Sequence, residues 1–415
     1  MNKYVIIGNG TAAVGCVEGI RSVDQVGSIT VISEEPHHVY CRPLISYYLE
    51  DKTDLEKMKY RPGDFYTKNN CKVLYGKKAV SVNPGEKSVT LDDGTTLPYD
   101  SLCVATGSSP FVPPVEGYNK VEKKFTFLTL DDALALEKAI TEDSRVLIIG
   151  AGLIGLKCAE GLHGRVRSIT VCDLADRVLS SIFDSECASL MQNHLEKNGI
   201  SFMLGDTTVK FENNTAFMKS SKEVDFDVLV MAVGIRANIS LVKDIGGLCG
   251  RAITVDTKMQ TSIPDIYAAG DCTECRDISS NTTKVLALLP NAYMQGRCAG
   301  INMAGMDYVY DKAIPMNSIG FFGLHAMTAG SYFDSSQGGE LYEEKSDGSI
   351  KRLFTKDGYL TGYILIGNVT GAGIYTAMIR ERTPIDEVNF EMLKKMPNLF
   401  AFDDKYRRKK LGGVV

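Results

Sequence analysis

The sequence has 415 residues, of which 44% are hydrophobic and 23% charged, and its formal net charge is −5. This length suits two or three globular domains, and the acidic balance excludes a general nucleic-acid binder, which needs a basic surface. No apolar run is long enough to span a membrane, and the eleven scattered cysteines, an odd number, predict reduced thiols in a cytoplasmic protein rather than a disulfide framework.

The chain opens with a βαβ pattern that is typical of dinucleotide binding. Residues 3–7 predict a strand, G-x-G-x-x-A follows at residues 8–13, and residues 28–32 predict the next strand with Glu34 in the position of the ribose-binding acid. The first glycine allows a tight turn and the second lets a pyrophosphate approach the backbone. Because the first strand begins at residue 3, we expect no signal peptide before it.

The loop at residues 36–44 leads into a predicted helix at 44–49. Arg42 stands just before that helix, where its guanidinium could clamp a pyrophosphate; the alternative is an ordinary surface arginine. The next predicted elements are a helix that ends near residue 70 and strands at 72–75, 79–82, 87–91, 95–99 and 102–107. The last strand ends in Ala105-Thr106-Gly107, and Pro110, Pro113 and Pro114 predict a linker.

The same plan is repeated in the middle of the chain. Residues 145–149 predict a buried strand, and G-x-G-x-x-G follows at 150–155. Asp173, eighteen residues beyond Gly155, occupies the acid position, and residues 227–234 are the counterpart of the strand at 102–107. Two complete fingerprints imply two dinucleotides, and a fixed flavin with a visiting nicotinamide is the economical interpretation. A plain glycine-rich turn is the alternative at residues 150–155.

The last part of the chain first returns to the opening plan and then changes character. Strands are predicted at 253–256 and 266–271 and a helix at 290–304; short strands at 319–324, 348–354 and 359–365 and a helix at 372–379 follow. We therefore expect an FAD domain from 1–112 and 251–310, an NAD domain from 113–250, and a C-terminal α+β domain from 311–415 that supplies an interface. The basic tail at 405–410 is either a solvated end or a partner contact.

In this order, four motifs resemble the two-dinucleotide flavoproteins of the pyridine nucleotide-disulfide oxidoreductase superfamily, which includes glutathione reductase. They are Gly8-x-Gly10-x-x-Ala13 with Glu34, Ala105-Thr106-Gly107, Gly150-x-Gly152-x-x-Gly155 with Asp173, and Ala269-Gly270-Asp271. Tyr40-x-Arg42-Pro43 and the helix that carries Ala292 are similar to the branch of rubredoxin reductases, NADH oxidases and the flavin domain of nitrite reductase. The resemblance implies an α/β fold with two Rossmann-like domains and a small C-terminal α+β domain.

Together with the fingerprints, the resemblance implies which residues hold each cofactor. Contacts with FAD are expected, besides Arg42, from Gly8, Gly10, Thr11, Ala12, Glu34, Val80, Ala105, Thr106, Gly107, Asp271 and Ala292. Contacts with NAD are expected from Gly150, Gly152, Ile154, Gly155, Asp173 and Gly234. An acid at position 173 disfavours a 2′-phosphate and favours NADH over NADPH, although Arg177 is near enough to leave the alternative open.

The sequence departs from the superfamily pattern at its thiols and at one charge. Only Cys16 occupies the helix in which disulfide reductases carry a Cys-x4-Cys pair; Cys41 in the next loop is either a redox thiol or incidental to the flavin. Lys157 stands where a glutamate often lies near the nicotinamide. The pair Cys272-x-x-Cys275 is open to structural, redox and metal interpretations, but no second pair completes a metal site.

The favoured function is an FAD-dependent NAD(P)H oxidoreductase. Hydride passes from NADH to the flavin, and electrons then pass to a protein acceptor such as rubredoxin, ferredoxin or an iron–sulfur subunit. One alternative is an NADH oxidase or a coenzyme A-disulfide reductase that uses Cys41. Another is a flavin-bearing subunit of a larger redox complex, supported by the basic tail and the Cys272/Cys275 pair; the protein is then such a subunit rather than a homodimer.

Overall fold

The computed structural model describes residues 1–411, with side chains described through residue 408. The chain divides into two compact units, residues 1–273 with 292–308, and residues 274–291 with 309 onward. In the expected basic tail, the side chains of Lys409 and Lys410 lie outside the described residues. None of the helices in the described part of the chain is long and apolar enough to cross a membrane.

The first unit is α/β and contains the two repeated halves. Its first strands are β1 Lys3–Ile7, β2 Ser28–Ser33, β3 Cys71–Tyr75, β4 Ala79–Asn83, β5 Ser88–Leu91, β6 Thr96–Pro98, β7 Ser101–Val104 and β8 Ser108–Pro110. The remaining strands are β9 Lys124–Thr126, β10 Arg145–Ile149, β11 Ser168–Asp173, β12 Ile200–Leu204, β13 Thr208–Glu212, β14 Thr215–Met218, β15 Glu223–Asp225, β16 Val228–Met231, β17 Ile235–Ala237, β18 Ile253–Thr254 and β19 Ile266–Ala268. The helices are α1 Thr11–Arg21, α2 Ile45–Leu49, α3 Phe65–Lys68, α4 Leu130–Ala139, α5 Leu153–Leu162, α6 Ser185–Lys197, α7 Ser240–Lys243 and α8 Leu289–Met303.

Each half is built on a five-stranded parallel sheet with a fingerprint strand at its centre. The strand orders are β19-β7-β1-β2-β3 and β12-β11-β10-β16-β9. Strands β10 and β16 are buried at almost every residue, as expected of a parallel sheet that is covered on both faces, and Phe211, Ala216 and Met218 of β13 and β14 pack on one of these faces. Because parallel strands end together, the glycine-rich turns after β1 and β10 each lie at the carboxyl edge of their sheet, where such folds bind ligands.

Helices α1 and α8 pack backbone to backbone through four glycines. An added Cβ would lie 1.9 Å from the Ala12 carbonyl oxygen at Gly296 and 2.1 Å from the Cys16 carbonyl oxygen at Gly300. On the opposite helix, a Cβ at Gly15 or Gly19 would lie 2.3 Å from a carbonyl oxygen of α8. No side chain fits at such distances, so the glycines bring the returning segment 292–308 against the first fingerprint helix.

The second unit is α+β. Its strands are β20 Thr273–Asp277, β21 Thr282–Val285, β22 Met316–Phe321, β23 Leu324–Gly330, β24 Gly339–Ser346, β25 Ser349–Lys356 and β26 Tyr359–Ile366, and its helices are α9 Ala372–Glu381, α10 Phe390–Lys395 and α11 Asp404–Leu411. The last five strands form an antiparallel sheet in the order β22-β23-β26-β25-β24. Helix α9 buries Tyr375 and Met378 against this sheet, and the Tyr375 hydroxyl donates to the Leu393 carbonyl at 2.6 Å.

The fold class is confirmed, but two local predictions were wrong and one hairpin was missed. The single strand expected at 319–324 is a hairpin, because Phe322 and Gly323 adopt left-handed conformations and form a tight turn between β22 and β23. The linker expected around Pro110 begins as strand β8, which pairs with β17; a proline fits there because the ribbon has only two strands. The hairpin of β20 and β21 was not predicted at all. The three-domain boundaries stay a prediction.

Candidate dinucleotide-binding sites

The first glycine of each fingerprint is required by the fold. Gly8 has φ +112° and an added Cβ would lie 2.1 Å from the Ala105 carbonyl oxygen. Gly150 has φ +119° and its Cβ would lie 2.3 Å from the Ala232 carbonyl oxygen. Both turns therefore pass under the end of the neighbouring strand, β7 or β16, in the same way. This equivalence confirms the internal repeat that the sequence predicts.

The second glycine of each fingerprint is not required by the fold. Gly10 has φ −101° and Gly152 has φ −83°, conformations that any residue adopts, and no described atom lies within 4 Å of an added Cβ at either position. Neither α1 nor α5 has a side-chain cap at its N-terminus. Open space beside the uncapped N–H groups of a helix fits a pyrophosphate, so the residues present fit a dinucleotide at each site.

The two acids at the strand ends lie in different surroundings. Asp173 accepts hydrogen bonds from the backbone N–H of Ala151 at 2.6 Å and of Ala175 at 2.8 Å, which holds its carboxylate against the second glycine-rich turn. Glu34 has a side chain that is 68% exposed and pairs with Lys78 Nζ at 2.9 Å. The nearby cation Arg177 pairs with Asp176 at 2.8 Å. Asp173 is therefore placed at its turn, whereas Glu34 lies on the surface.

Arg42, the expected phosphate clamp, belongs to a hydrogen-bonded network that the sequence did not predict. Its guanidinium forms an ion pair with Glu35 and donates to the Leu128 carbonyl at 3.1 Å. The Tyr40 hydroxyl donates to Glu35 at 2.6 Å and accepts from the Leu130 N–H at 2.9 Å. The spacing Tyr40-x-Arg42 was the only sequence signal of this network. The network holds the Arg42 guanidinium in place, and the role of this group as a phosphate clamp stays a prediction.

Asp271 lies in a turn that α8 holds in place. The Gly270 N–H donates to the buried Gln295 side chain at 2.8 Å, and Thr273 donates to the Gly270 carbonyl at 2.8 Å. Burial raises the pKa of the Asp271 carboxyl, and the charge of Arg42 and a hydrogen bond from Ser108 oppose this rise. Arg42 and Asp271, far apart in sequence, are thus brought together, and Gln295 is a positioning residue that no motif indicated.

The Ala105-Thr106-Gly107 segment is tied to the second half of the unit. Thr106 Oγ1 donates to the Asn238 carbonyl at 2.8 Å, and Asn238 Nδ2 donates to the Thr106 carbonyl at 2.9 Å. The Asn238 N–H donates to the Gly107 carbonyl at 3.0 Å. Gly107 has φ +63° and open space beside it. Asn238 had no motif around it in the sequence.

The other expected contacts are distributed around these turns. Thr11 and Ala12 are buried in the first turn of α1, Ile154 is half-buried in the first turn of α5, and Ala292 lies near Gly270, whose added Cβ would be 3.7 Å from the Ala292 Cβ. Gly234 has φ +125° with open space beside it after β16. Val80 is 51% exposed on β4, outside the parallel sheet.

The thiols show little sign of redox activation. Burial raises the pKa of the Cys41 thiol, with a backbone hydrogen bond from Leu44 opposing the rise. Burial raises the pKa of the fully buried Cys272 to about 11, and its Sγ donates to the carbonyls of Val104 at 3.4 Å and Ala269 at 3.3 Å. Cys275 is buried on β20. Within the described residues, no three His, Cys, Asp or Glu side chains form a group that could hold a metal ion.

Lys157, at the position where the superfamily often carries a glutamate, has its own acidic neighbour. Its ammonium pairs with the buried carboxylate of Glu160 one turn along α5 and lies 5.2 Å from the ring centroid of Tyr47 on α2. The charge at this position is therefore compensated within the protein.

Comparison with known proteins places the chain among flavin and nicotinamide enzymes. The sequence model of the pyridine nucleotide-disulphide oxidoreductase family matches residues 2–296. The NADH-dependent phenylglyoxylate dehydrogenase subunit epsilon of Aromatoleum evansii is 32% identical to this chain, and the alignment covers 92% of each of the two chains. The NAD(P)H nitrite reductase of Bacillus subtilis is 30% identical over 93% of this chain, which spans 48% of that protein.

The fold is also that of a solved reductase. In the covalent putidaredoxin reductase–putidaredoxin complex, a chain that is 23% identical superimposes with a TM-score of 0.86 over 95% of this chain and 96% of that one. This likeness concerns the fold. The match over residues 2–296 and the relative at 32% identity over nearly the full length assign the family. The chain belongs to the pyridine nucleotide-disulphide oxidoreductase family.

Proposed function

We propose that this protein is an FAD-dependent oxidoreductase that takes hydride from NADH and passes electrons to a protein acceptor. The observation that carries the proposal is the pair Gly10 and Gly152. Both leave open space beside an uncapped helix N-terminus, although the fold does not require glycine at either position. A ligand that approaches the backbone closely accounts for both, and FAD and NAD each present a pyrophosphate there.

When bound, FAD supplies the redox chemistry: it accepts hydride from NADH and releases electrons one at a time. The chain supplies binding and orientation. We assign the first fingerprint, Arg42 and Asp271 to FAD, because the Gly8–Gly10 turn and the network around Asp271 both rest on the first sheet or on α8. Thr106 and Gly107, tied to Asn238, border the same site. Hydride transfer needs no side-chain acid or base, so no catalytic residue is assigned.

The second fingerprint is assigned to NADH in preference to NADPH. Asp173 is held at the turn by two backbone N–H groups, and its charge repels a 2′-phosphate. Arg177 is already paired with Asp176, which weakens the case for a 2′-phosphate partner. The Aromatoleum evansii relative is described as NADH-dependent, which supports the assignment.

For the acceptor we propose an iron–sulfur protein, either a small carrier of the rubredoxin or ferredoxin kind or a subunit of the same complex. The second form is supported by the relative named as subunit epsilon of a dehydrogenase, and by the nitrite reductase that is about twice as long as this chain. A thiol relay through Cys41 is less favoured, because burial raises the pKa of that thiol. The eleven scattered cysteines, an odd number, support a cytoplasmic location.

The test is purification of the full chain under native conditions with any partners retained. We expect a yellow protein with noncovalent FAD that NADH bleaches under argon and that then reduces rubredoxin or ferredoxin. The matched control is Gly152→Leu, which should keep the flavin and lose only the reduction by NADH. A colourless wild type that cannot be reconstituted with FAD would overturn the proposal. Fast reduction of oxygen or of a disulfide, and slow reduction of both carriers, would move the protein to the oxidase or disulfide-reductase alternative.

A further inference from the structure

A cleft in the second unit gathers three cationic side chains. Its volume is about 330 Å³, at the lower end of the range for small-molecule sites. Two tight turns and one helix end form most of it, namely residues 276–281 between β20 and β21, residues 356–361 between β25 and β26, and the end of α9. The cations are Arg276, Lys356 and Arg382, one from each segment.

Neutral groups hold all three cations. Arg276 Nε donates to the Asn281 amide oxygen at 2.8 Å. Lys356 Nζ lies 4.6 Å from the ring centroid of Phe333, and Arg382 Cζ lies 4.9 Å from that of Tyr359. No carboxylate within the described part of the chain forms an ion pair with any of them. A ring face or an amide orients a cation without neutralising it, so the charges stay available to a ligand.

The charge of the cleft is opposite to that of the whole chain. Of the described residues that line it, Asp357 alone carries a carboxylate, so three cations and one anion leave a net charge of +2, whereas the whole chain carries −5. The helix macrodipole places roughly half a negative charge at the C-terminal end of α9, which disfavours an anion there. The net charge of +2 in the cleft is larger than this half charge. The cleft therefore favours a ligand with two or more negative charges.

The backbone fixes the cations before any ligand arrives. Asp357 (φ +51°) and Gly358 (φ +78°) form the turn between β25 and β26, and Arg382 ends α9 with φ +50°. The chain that follows α9 then pairs with this turn, since the Ile385 N–H donates to the Gly358 carbonyl at 3.0 Å. Arg382 is thereby placed beside Tyr359. Such preorganisation reduces the entropy lost on binding.

We propose that this cleft binds a small phosphorylated anion, at a site separate from the two dinucleotide fingerprints. Two guanidinium groups favour phosphate, because their planar N–H donors match pairs of phosphate oxygens. The third cation and the net charge of +2 favour two phosphate groups over one. The proposal does not depend on the function proposed above, since no residue of the fingerprints contributes to the cleft.

The test is calorimetric titration of the full chain, loaded with FAD and saturated with NAD⁺, with inorganic pyrophosphate. We expect binding of one pyrophosphate that weakens at least about tenfold in R276Q/K356Q/R382Q. The control K312Q/R380Q/K405Q removes three positive charges from elsewhere in the second unit, and its affinity for pyrophosphate should stay within about twofold of that of the wild type. All these proteins share the dinucleotide sites, so pyrophosphate bound at a fingerprint left empty by incomplete FAD loading would appear equally in each of them, and only the separate cleft site would respond to the cleft variant.

Two results would overturn the proposal: no pyrophosphate binding to the wild type, or equal affinity in the wild type and the cleft variant. Tighter binding of citrate than of pyrophosphate would overturn the phosphate assignment. If thermal unfolding shows that the triple variant is poorly folded, K356Q alone replaces it, because the described contact of the Lys356 ammonium is with the Phe333 ring face. We then expect at least about threefold weaker binding.

Discussion

Thr106 and Asn238 form a reciprocal pair of hydrogen bonds across 132 residues of sequence: Thr106 Oγ1 donates to the Asn238 carbonyl and Asn238 Nδ2 donates to the Thr106 carbonyl. The Asn238 amide oxygen also accepts from Ser109 at 2.8 Å. The pair joins the two repeated halves beside the segment that we assign to the flavin. Its side chains should therefore affect both the stability of the first unit and the affinity for FAD.

Asn238→Ala should lower the free energy of unfolding by about 1–3 kcal/mol, because it removes the hydrogen bonds to the Thr106 carbonyl and from the Ser109 hydroxyl, each of which contributes about 0.5–1.5 kcal/mol. FAD affinity should fall as well, since the 105–107 segment loses its support. Urea denaturation and flavin fluorescence measure the two effects. Ser109→Ala, which removes one bond of the same group, is the control and should cost less. An Asn238→Ala protein with wild-type stability and affinity would contradict this role.

The contact between α1 and α8 predicts a large loss of stability for a small substitution. Gly296→Ala should cost about 3 kcal/mol or more, at the upper end of overpacking effects, because the new Cβ would meet the Ala12 carbonyl oxygen at 1.9 Å. The control is Gly373→Ala in α9, where no atom lies within 4 Å of the added Cβ. That change should be neutral or stabilise by up to about 1 kcal/mol through helix propensity. Equal denaturation midpoints for the two variants would disprove the close packing.

The second glycines of the two fingerprints predict that cofactor binding can be separated from folding. Gly10→Leu should yield a folded but colourless protein, and Gly152→Leu a folded yellow protein that NADH does not reduce. Both positions have ordinary φ values and open space, so thermal unfolding of each apoprotein should match the apo wild type within about 1 kcal/mol. Absorbance spectra and stopped-flow reduction measure the losses. Unfolding of either variant would show that the fold needs the glycine after all.

The features that could be predicted from the sequence are those that a local residue pattern determines. The fingerprints, the central strands and the repeat follow from glycine spacing and buried apolar runs, and Gly8 and Gly150 indeed occupy equivalent turns. Contacts between distant segments had no local signal. The contact of Asn238 with Thr106 depends on how the two halves meet, and those of Gln295 with Gly270 and of Arg42 with Asp271 depend on how distant segments of the first half pack together. The hairpin at Phe322-Gly323 was missed because a phenylalanine rarely adopts a left-handed conformation.

Asp173 should set the preference between the two nicotinamide dinucleotides. We expect flavin reduction by NADH to exceed that by NADPH by about 10–150-fold, the equivalent of roughly 1.5–3 kcal/mol for a charge-assisted hydrogen bond. Stopped-flow reduction at matched concentrations tests this. Asp173→Asn, which keeps the size and an acceptor oxygen for Ala151, should narrow the ratio by removing the repulsion. Equal or faster reduction of the wild type by NADPH would show that Arg177 or another cation dominates.

Cys41 should be dispensable for electron transfer. A thiol relay requires the thiolate, and burial raises the pKa of Cys41, so at neutral pH less of it is ionised than of a free cysteine. Arg42, the nearest cation in sequence, is already engaged by Glu35 and the Leu128 carbonyl. Cys41→Ser should therefore keep NADH-to-dye activity within about threefold, less than ~1 kcal/mol in barrier, and should keep the wild-type pH profile.

Reductive titration distinguishes a flavin that acts without Cys41 from a thiol relay through Cys41. Dithionite should deliver two electrons per flavin in the wild type, in Cys41→Ser and in the control Cys272→Ser, whose thiol is buried with a pKa of about 11. If Cys41 is a relay, its sulfur is held in the oxidised protein as a mixed disulfide or a sulfenic acid, whose reduction to the thiol takes two more electrons. The count would then be four in the wild type and would return to two only in Cys41→Ser. A relay thiol would also make the activity rise with pH as the thiol ionises, since a raised pKa moves ionisation to more alkaline pH. That combination would make Cys41 the redox centre and the protein a disulfide reductase or thiol-dependent oxidase.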